Sequence, residues 1–258
     1  MPNLLVPAKF VLVSLTILIF VIISYINDLL VRDKQLKLSN STRLSSCFCS
    51  FLIKVLGIKI SIPENNRMMP ENNYLIVSNH LSYLDVFILA SLYPSVFIAS
   101  IDGVKNAIIL GTVARLGGVV FVDRLNKMNI KTEIDKISGV INSGFNVIVF
   151  PEATSSNGDK VLEFKSSLFT PAIESGIKIQ PLCIKYKKLN GRLIGIDNRD
   201  FIYYYGEAEF FIHFRNLISQ RSIEVEINIL DKIDTTVVAS RKQATELAYN
   251  SISLRYTT

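Results

Sequence analysis

The sequence holds no tryptophan, two histidines and three cysteines in 258 residues. The cysteines are Cys47, Cys49 and Cys183, odd in number and without CxxC spacing, so neither a disulfide framework nor a structural zinc site is expected. A reducing, cytosol-facing location is the simplest fit. Imidazole chemistry has only His80 and His213 to draw on. The sequence contains no Gly-x-Ser-x-Gly elbow, which argues against a serine hydrolase working through an acyl-enzyme. Zinc-finger, helix-turn-helix and aromatic-rich basic motifs are also missing, so nucleic acid is not an expected partner. Without internal repeats or low-complexity linkers, one main domain is expected.

What the chain does have is apolar surface and positive charge. Hydrophobic residues make up 49% of it, and the mean hydropathy of +0.35 is high for a freely soluble protein. Lys and Arg number 28 against 22 Asp and Glu, a net charge of +6. Such a balance suits anionic lipid headgroups or phosphate-bearing substrates, and equally a simple solubility charge. Phe10 to Asn27 carries no charge. At helical rise these eighteen residues reach roughly 27 Å, just under a hydrocarbon core of about 30 Å. No Ala-x-Ala cleavage pattern follows, so the segment reads as an uncleaved anchor. Lys9 precedes it, and Arg32, Lys34, Lys37 and Arg43 follow. The positive-inside bias places the main domain on the cytoplasmic face of the cell (inner) membrane, single-pass or monotopic. A second apolar stretch, Cys47 to Ile62, contains Lys54 and Lys59; it suits a helix lying at the interface or one packed on the soluble domain. Residues 1–62 are thus assigned to an anchor and interfacial helix, and residues 63–258 to a catalytic domain.

After the turn-rich stretch Ile62 to Asn73, short apolar runs predict strands at Tyr74–Val77, Val96–Ala99, Val119–Val122, Asn146–Phe150, Ile179–Ile184 and Ile223–Ile229. Helical patterns at Lys127–Asn142, Phe164–Glu174 and Ser240–Leu254 separate several of them. This alternation predicts an α/β fold with a mixed, largely parallel sheet flanked by helices. Arg192 to Tyr205 is expected to add antiparallel strands, and Pro181 to mark an edge position or bulge.

Four passages carry chemistry. In Tyr74-Leu-Ile-Val-Ser-Asn-His-Leu-Ser-Tyr-Leu-Asp85, a strand runs into His80 and then into a helix that begins near Asp85. Asp85 can fold back on the imidazole and fix its tautomer, leaving the other ring nitrogen to take a proton. The bland alternative is a helix N-cap at Asn79 or Ser82 beside an incidental histidine. In Gly117-Gly-Val-Val-Phe-Val-Asp-Arg124, the strand end carries Arg124, suited to two parallel hydrogen bonds with a phosphate or to a surface pair with Asp123. Val147-Ile-Val-Phe-Pro-Glu-Ala-Thr-Ser-Ser-Asn-Gly158 ends a strand in Pro-Glu and small hydroxylated residues, fit for a polar pocket rim. Ile179-Gln-Pro-Leu-Cys-Ile184 completes the set.

In this order and spacing the passages resemble the glycerolipid acyltransferase family, which includes bacterial 1-acylglycerol-3-phosphate acyltransferases. Asn79-His80 with Asp85 matches the family's NHxxxxD motif, Gly118 to Arg124 its GxxFxxR motif, and Phe150-Pro-Glu-Ala-Thr154 is close to FPEGT. Two departures stand out: Ala153 where the family usually has Gly, and Ser155 where Arg is common. The first removes a residue that tolerates positive φ. The second removes a phosphate ligand, for which Lys165 is a substitute. The resemblance implies an acyl thioester donor, acyl-CoA or acyl carrier protein, and a lysophospholipid acceptor held among membrane lipids, with 1-acylglycerol-3-phosphate giving phosphatidic acid. It implies His80 as general base and Asp85 as its partner, with Asn79, Arg124, Glu152, Thr154 and Lys165 on the substrate side. No metal and no bound cofactor are implied. Another lysolipid acceptor such as lyso-ornithine lipid, which lacks the phosphate, is the alternative within enzymes. A non-catalytic membrane-binding module is the alternative outside them. His213, among aromatics in Glu209-Phe-Phe-Ile-His-Phe-Arg215, reads as a packing or hydrogen-bonding histidine.

Overall fold

The computed structural model describes residues 5–63, 73–100, 108–122 and 130–257. The chain opens with two long helices, α1 (Leu5–Leu30) and α2 (Lys34–Leu56). Asp33 starts α2 by accepting a hydrogen bond from the Leu36 N–H at 2.7 Å. Gly57 ends it at φ +78°, where a Cβ would lie 2.3 Å from the Arg221 carbonyl oxygen. Only glycine combines that left-handed turn with so close an approach. The chain can therefore pass at once into β1 (Ile58–Ser61). The second apolar stretch of the sequence is accordingly the end of α2 plus this strand rather than one interfacial helix. The sheet begins ahead of residue 63.

There follow β2 (Leu75–Ser78), α3 (Leu84–Leu92), β3 (Val96–Ser100), α4 (Ile108–Leu116), β4 (Val120–Val122), α5 (Ile130–Asn142) and β5 (Val147–Val149). The last part holds α6 (Thr170–Ser175), β6 (Ile179–Leu189), β7 (Arg192–Leu193), α7 (Phe210–Ile218), β8 (Ile223–Ile229) and α8 (Arg241–Thr257). The strands order as β1-β8-β6-β2-β5-β3-β4, with β7 paired to β6. All pairs are parallel except β6 with β8 and β6 with β7. The sheet is therefore mixed and largely parallel, with helices packed over both faces. Two expectations need correction. Between Arg192 and Tyr205 only Arg192–Leu193 forms a strand, and a 3₁₀ turn takes Arg199–Phe201. Pro181 lies in a central strand, opposite Val77 of β2. It is accommodated because the Leu230 N–H still donates to the Pro181 carbonyl at 3.0 Å, while the Leu230 carbonyl, which proline cannot serve, accepts from the Gln180 side-chain amide at 2.6 Å.

α1 is inverted relative to an ordinary surface helix. Its buried positions are Lys9, Val13, Thr16, Phe20, Ser24 and Asn27, at helical spacing, and four of the six are polar. Its outward positions, among them Phe10, Val11, Leu15, Leu18, Ile22 and Ile26, are apolar. Polar side chains tie both ends to the domain. Lys9 Nζ donates to the Leu56 and Gln220 carbonyls at 3.0 and 2.7 Å, near the ends of α2 and α7. Asn27 donates to the Lys37 carbonyl at 3.3 Å and accepts from Asn40 at 2.9 Å. Val6–Leu30 is, among the described residues, the one helix long and apolar enough to cross a membrane.

Lys9→Ala leaves two carbonyls without their charged donor. We expect a loss of about 1–3 kcal/mol, read as a thermal midpoint lower by several degrees (about 2–4 °C per kcal/mol for a chain of this size). An unchanged midpoint would show that the lysine does not hold α1 in place.

Candidate active site

Strand order reverses around β2. The chain leaves it for β3 and β4 on one side, returns as β5 beside it, and then places β6 on its other flank. Crevices at the carboxyl ends of strands form at such points in open α/β sheets. Here β2 ends at Ser78 and β5 at Val149, with Val77 opposite Val149. The two strands deliver Asn79-His80 and Phe150-Pro-Glu152 side by side.

Asp85 is fully buried in the first turn of α3. Its Oδ2 accepts from the Leu81 and Ser82 N–H groups at 2.7 and 2.9 Å and lies 2.9 Å from His80 Nδ1. Its Oδ1 accepts from the Tyr186 hydroxyl at 2.7 Å. Burial first, then the Asp85 charge, holds the Tyr186 phenol well above its ordinary range, so it remains a donor. Backbone N–H groups and a phenol can only donate here, which makes Asp85 an acceptor at both oxygens and assigns the Nδ1 proton to His80. The lone pair is thereby placed on Nε2, which has no hydrogen-bond partner among the described residues. The ring lies flat on Phe150, centroids 4.1 Å apart and planes 13° from parallel, and keeps 19% of its side-chain surface exposed. A tautomer fixed by a carboxylate, a ring fixed by a stacked aromatic and a nitrogen unpartnered among the described residues suit the imidazole to accept a proton.

The loop after β5 is bound to the same histidine. Glu152 is buried, and its two oxygens accept from the His80 N–H at 2.7 Å and the Leu162 N–H at 2.9 Å. Burial raises its pKa to about 7, outweighing the two N–H donors that favour the charged form; Asp85 raises it further. In the other direction, the Ser156 N–H donates to the His80 carbonyl at 3.0 Å. Ala153 closes the turn with φ +63°, the left-handed conformation for which the family's glycine is suited. Ser155 Oγ donates to the Tyr204 carbonyl, and the Tyr204 N–H donates to the Leu81 carbonyl at 2.9 Å. Residue 204 thus clamps the two loops together.

Asn79 is committed to the scaffold. Its amide donates to the Ile184 carbonyl and accepts from the Ile184 N–H at 2.9 and 2.8 Å, continuing the β2–β6 pairing one residue past the strand. Thr154 and Lys165 are exposed beside the loop, and the Lys165 N–H fixes the Pro151 carbonyl at 2.8 Å. Arg124 lies outside the described residues; β4 ends two positions before it, at Val122. His213 is buried and shares a 2.9 Å hydrogen bond with the Tyr83 hydroxyl, a packing role as expected, and burial lowers its pKa. Sequence reasoning missed Tyr186, which is 101 residues from Asp85 and belongs to none of the motifs. It also left Phe150 without a role; an aromatic directly after a buried strand at the pocket edge was the available signal.

Ala153→Gly removes the left-handed strain and should stabilise the protein by about 1 kcal/mol, read in chemical or thermal unfolding. The Glu152 carboxyl has a folded pKa of about 7 against 4.5 unfolded, so the folded state binds the extra proton between those values. Stability is therefore expected to fall as pH rises from 4.5 to 7, by about 2–3 kcal/mol. Glu152→Gln should flatten that slope while losing one of the two N–H acceptors; unfolding curves across this window that match wild type would contradict the assignment.

Comparison with known proteins agrees with this geometry. The family model described as Acyltransferase matches residues 58–185. The chain is 30% identical over 201 residues to a lyso-ornithine lipid O-acyltransferase from Rhizobium meliloti, covering 75% of this chain and 68% of that protein. It is 35% identical over 131 residues to a 1-acyl-sn-glycerol-3-phosphate acyltransferase from Neisseria gonorrhoeae, covering about half of each (50% and 51%). The crystal structure of the 1-acyl-sn-glycerophosphate acyltransferase from Thermotoga maritima superposes with a TM-score of 0.70, covering 98% of this chain and 94% of that one; at 17% identity this speaks for the fold. Taken with the His80–Asp85 pair at the switch point of the sheet, these matches show that the chain belongs to the glycerolipid acyltransferase family.

Proposed function

We propose that the enzyme transfers a fatty acyl group from an acyl thioester, acyl-CoA or acyl carrier protein, to the free hydroxyl of 1-acylglycerol-3-phosphate, giving phosphatidic acid. The observation that carries the reaction type is the 2.9 Å His80–Asp85 pair, with Nε2 unpartnered among the described residues. His80 Nε2 takes the hydroxyl proton as the oxygen bonds to the thioester carbonyl carbon. Asp85, held by three other donors, stabilises the imidazolium without moving. The carbon–sulfur bond then breaks, and the imidazolium returns its proton to the departing thiolate. No acyl-enzyme is required. Arg124, Thr154 and Lys165 are assigned to the acceptor, and positioning of this kind contributes several kcal/mol, roughly.

A second acceptor has a specific observation in its favour. Ser155 replaces the arginine common in the family, and its hydroxyl is committed to the Tyr204 carbonyl. That favours a lysolipid without a phosphate, such as lyso-ornithine lipid, the substrate named for relatives matched over most of their length.

The reaction is placed at a membrane surface, with α1 lying in the bilayer interface rather than crossing alone. A helix crossing alone is fastened at one end, whereas α1 is held at Lys9 by the Gln220 carbonyl after α7 and at Asn27 by the Lys37 carbonyl of α2. Its apolar side faces outward along its length. The basic residues after it, including Arg32 and Lys34, favour the cytoplasmic leaflet.

The test is purified protein with labelled acyl-CoA or acyl carrier protein and both lysolipids side by side. His80→Ala is expected to lower turnover by about 10²–10⁴-fold or more at an unchanged fold. Turnover retained in that variant would reject the base assignment, and the faster of the two acceptors identifies the headgroup.

A further inference from the structure

α7 spans the distance between the catalytic loop and the apolar helix α1. At its start, Phe210 packs on Tyr83 and Tyr204 with centroids 5.4 and 6.2 Å apart, and His213 bonds the Tyr83 hydroxyl at 2.9 Å. Tyr83 lies three residues after His80. Just past its end, the Gln220 carbonyl receives the Lys9 ammonium of α1 at 2.7 Å. The inward face of α7 is filled by His213, Leu217 and Ile218. Its outward face carries Phe211 and Ile212, 76% and 51% exposed, and Arg215 is exposed one turn beyond Phe211 on the same side. Phe201, on the 3₁₀ turn against which α7 packs, is 40% exposed. Apolar side chains with a cation one turn away form the pattern of a helix resting in a headgroup layer.

We propose that the Phe211–Ile212 turn of α7 is a second membrane contact, inserted into the bilayer surface beside α1, against which α7 packs. The proposal rests on the reading of α1 as a membrane-lying helix. Fixed to α1 at one end and to the loop of His80 at the other, α7 sets the mouth of the active site at the lipid surface. A lysolipid then reaches His80 by lateral movement instead of leaving the bilayer.

Because the chain has no tryptophan, a single introduced one reports its own surroundings. Full-length Phe211→Trp and Ile212→Trp are placed in vesicles of phosphatidylglycerol and acyl-brominated phosphatidylcholine. Leu18→Trp reports on the outward face of α1. Val237→Trp is the control, 78% exposed and near the Ile179–Ile233 bridge, at the sheet edge opposite the strand ends that carry His80. Bromine quenching at residues 211, 212 and 18 but not at 237 is the expected result. Quenching at 18 without quenching at 211 and 212 overturns this proposal and leaves the α1 reading standing. No quenching at 18 overturns both. A blue shift at 211 that depends on protein concentration and appears without vesicles shows that a second copy covers the face, which also overturns it. As a functional readout, Phe211→Ser/Ile212→Ser is expected to keep wild-type turnover on a short-chain lysolipid dissolved as monomers and to lose about tenfold or more on the vesicle-embedded acceptor. Equal loss on both acceptors would indicate a purely structural role.

Discussion

A carboxylate with no access to water must have its lone pairs filled by donors, and Asp85 meets that requirement with four of them. Two backbone N–H groups come from the turn directly ahead of α3, so the charge itself shapes that turn. The phenol comes from Tyr186, far along β6, which runs past the apolar stretch Ile179–Ile184 to Leu189 in pairing with β8. The fourth donor is His80. Removing any one partner from a buried charge costs more than the hydrogen bond is worth by itself, because the oxygen left behind has no water to turn to. The position of the His80 ring therefore follows from the packing of the whole sheet.

The two loops at the strand ends behave as one unit. Glu152 joins the His80 N–H to the Leu162 N–H, the Ser156 N–H returns to the His80 carbonyl, and residue 204 links Leu81 to Ser155. Phe150 supplies the floor under the imidazole. Within this unit the chain's two departures from its family have different weights. Ala153 accepts the left-handed turn at an energetic cost and leaves the geometry intact. Ser155 removes a cation from the rim and spends its hydroxyl on the clamp. The first is a matter of backbone strain, the second of the charge at the loop.

The apolar helix ahead of the domain shows how composition and placement divide the information. Its length and hydropathy are enough to cross a membrane, yet four of its six buried positions are polar. Lys9 and Asn27, at the two ends of this buried seam, find carbonyls on the protein surface, while Thr16 returns its hydroxyl to the Leu12 carbonyl of α1 itself. The apolar remainder is left facing outward.

The strand runs at Leu75, Val147 and Ile223, the helices that follow them and the spacing of His80 to Asp85 were legible because burial and helix periodicity act over a few residues. The parallel character of the sheet followed from strands alternating with helices. The short strand Ile58–Ser61 was hidden in an apolar stretch, since nothing local separates a buried strand from the end of a helix; Gly57 against the Arg221 carbonyl decides it. Arg192 to Tyr205 has strand-like composition, but only its first two residues find a ladder, and the rest is drawn over the active-site loops. Sequence alone thus determined the His80–Asp85 pair and the family, because both depend on residues five apart or on motifs at strand ends. Tertiary structure decided that Asn79 and Glu152 brace the scaffold, that Tyr186 completes the charge site and that α1 lies inverted on the domain, because each depends on partners brought together from distant parts of the chain.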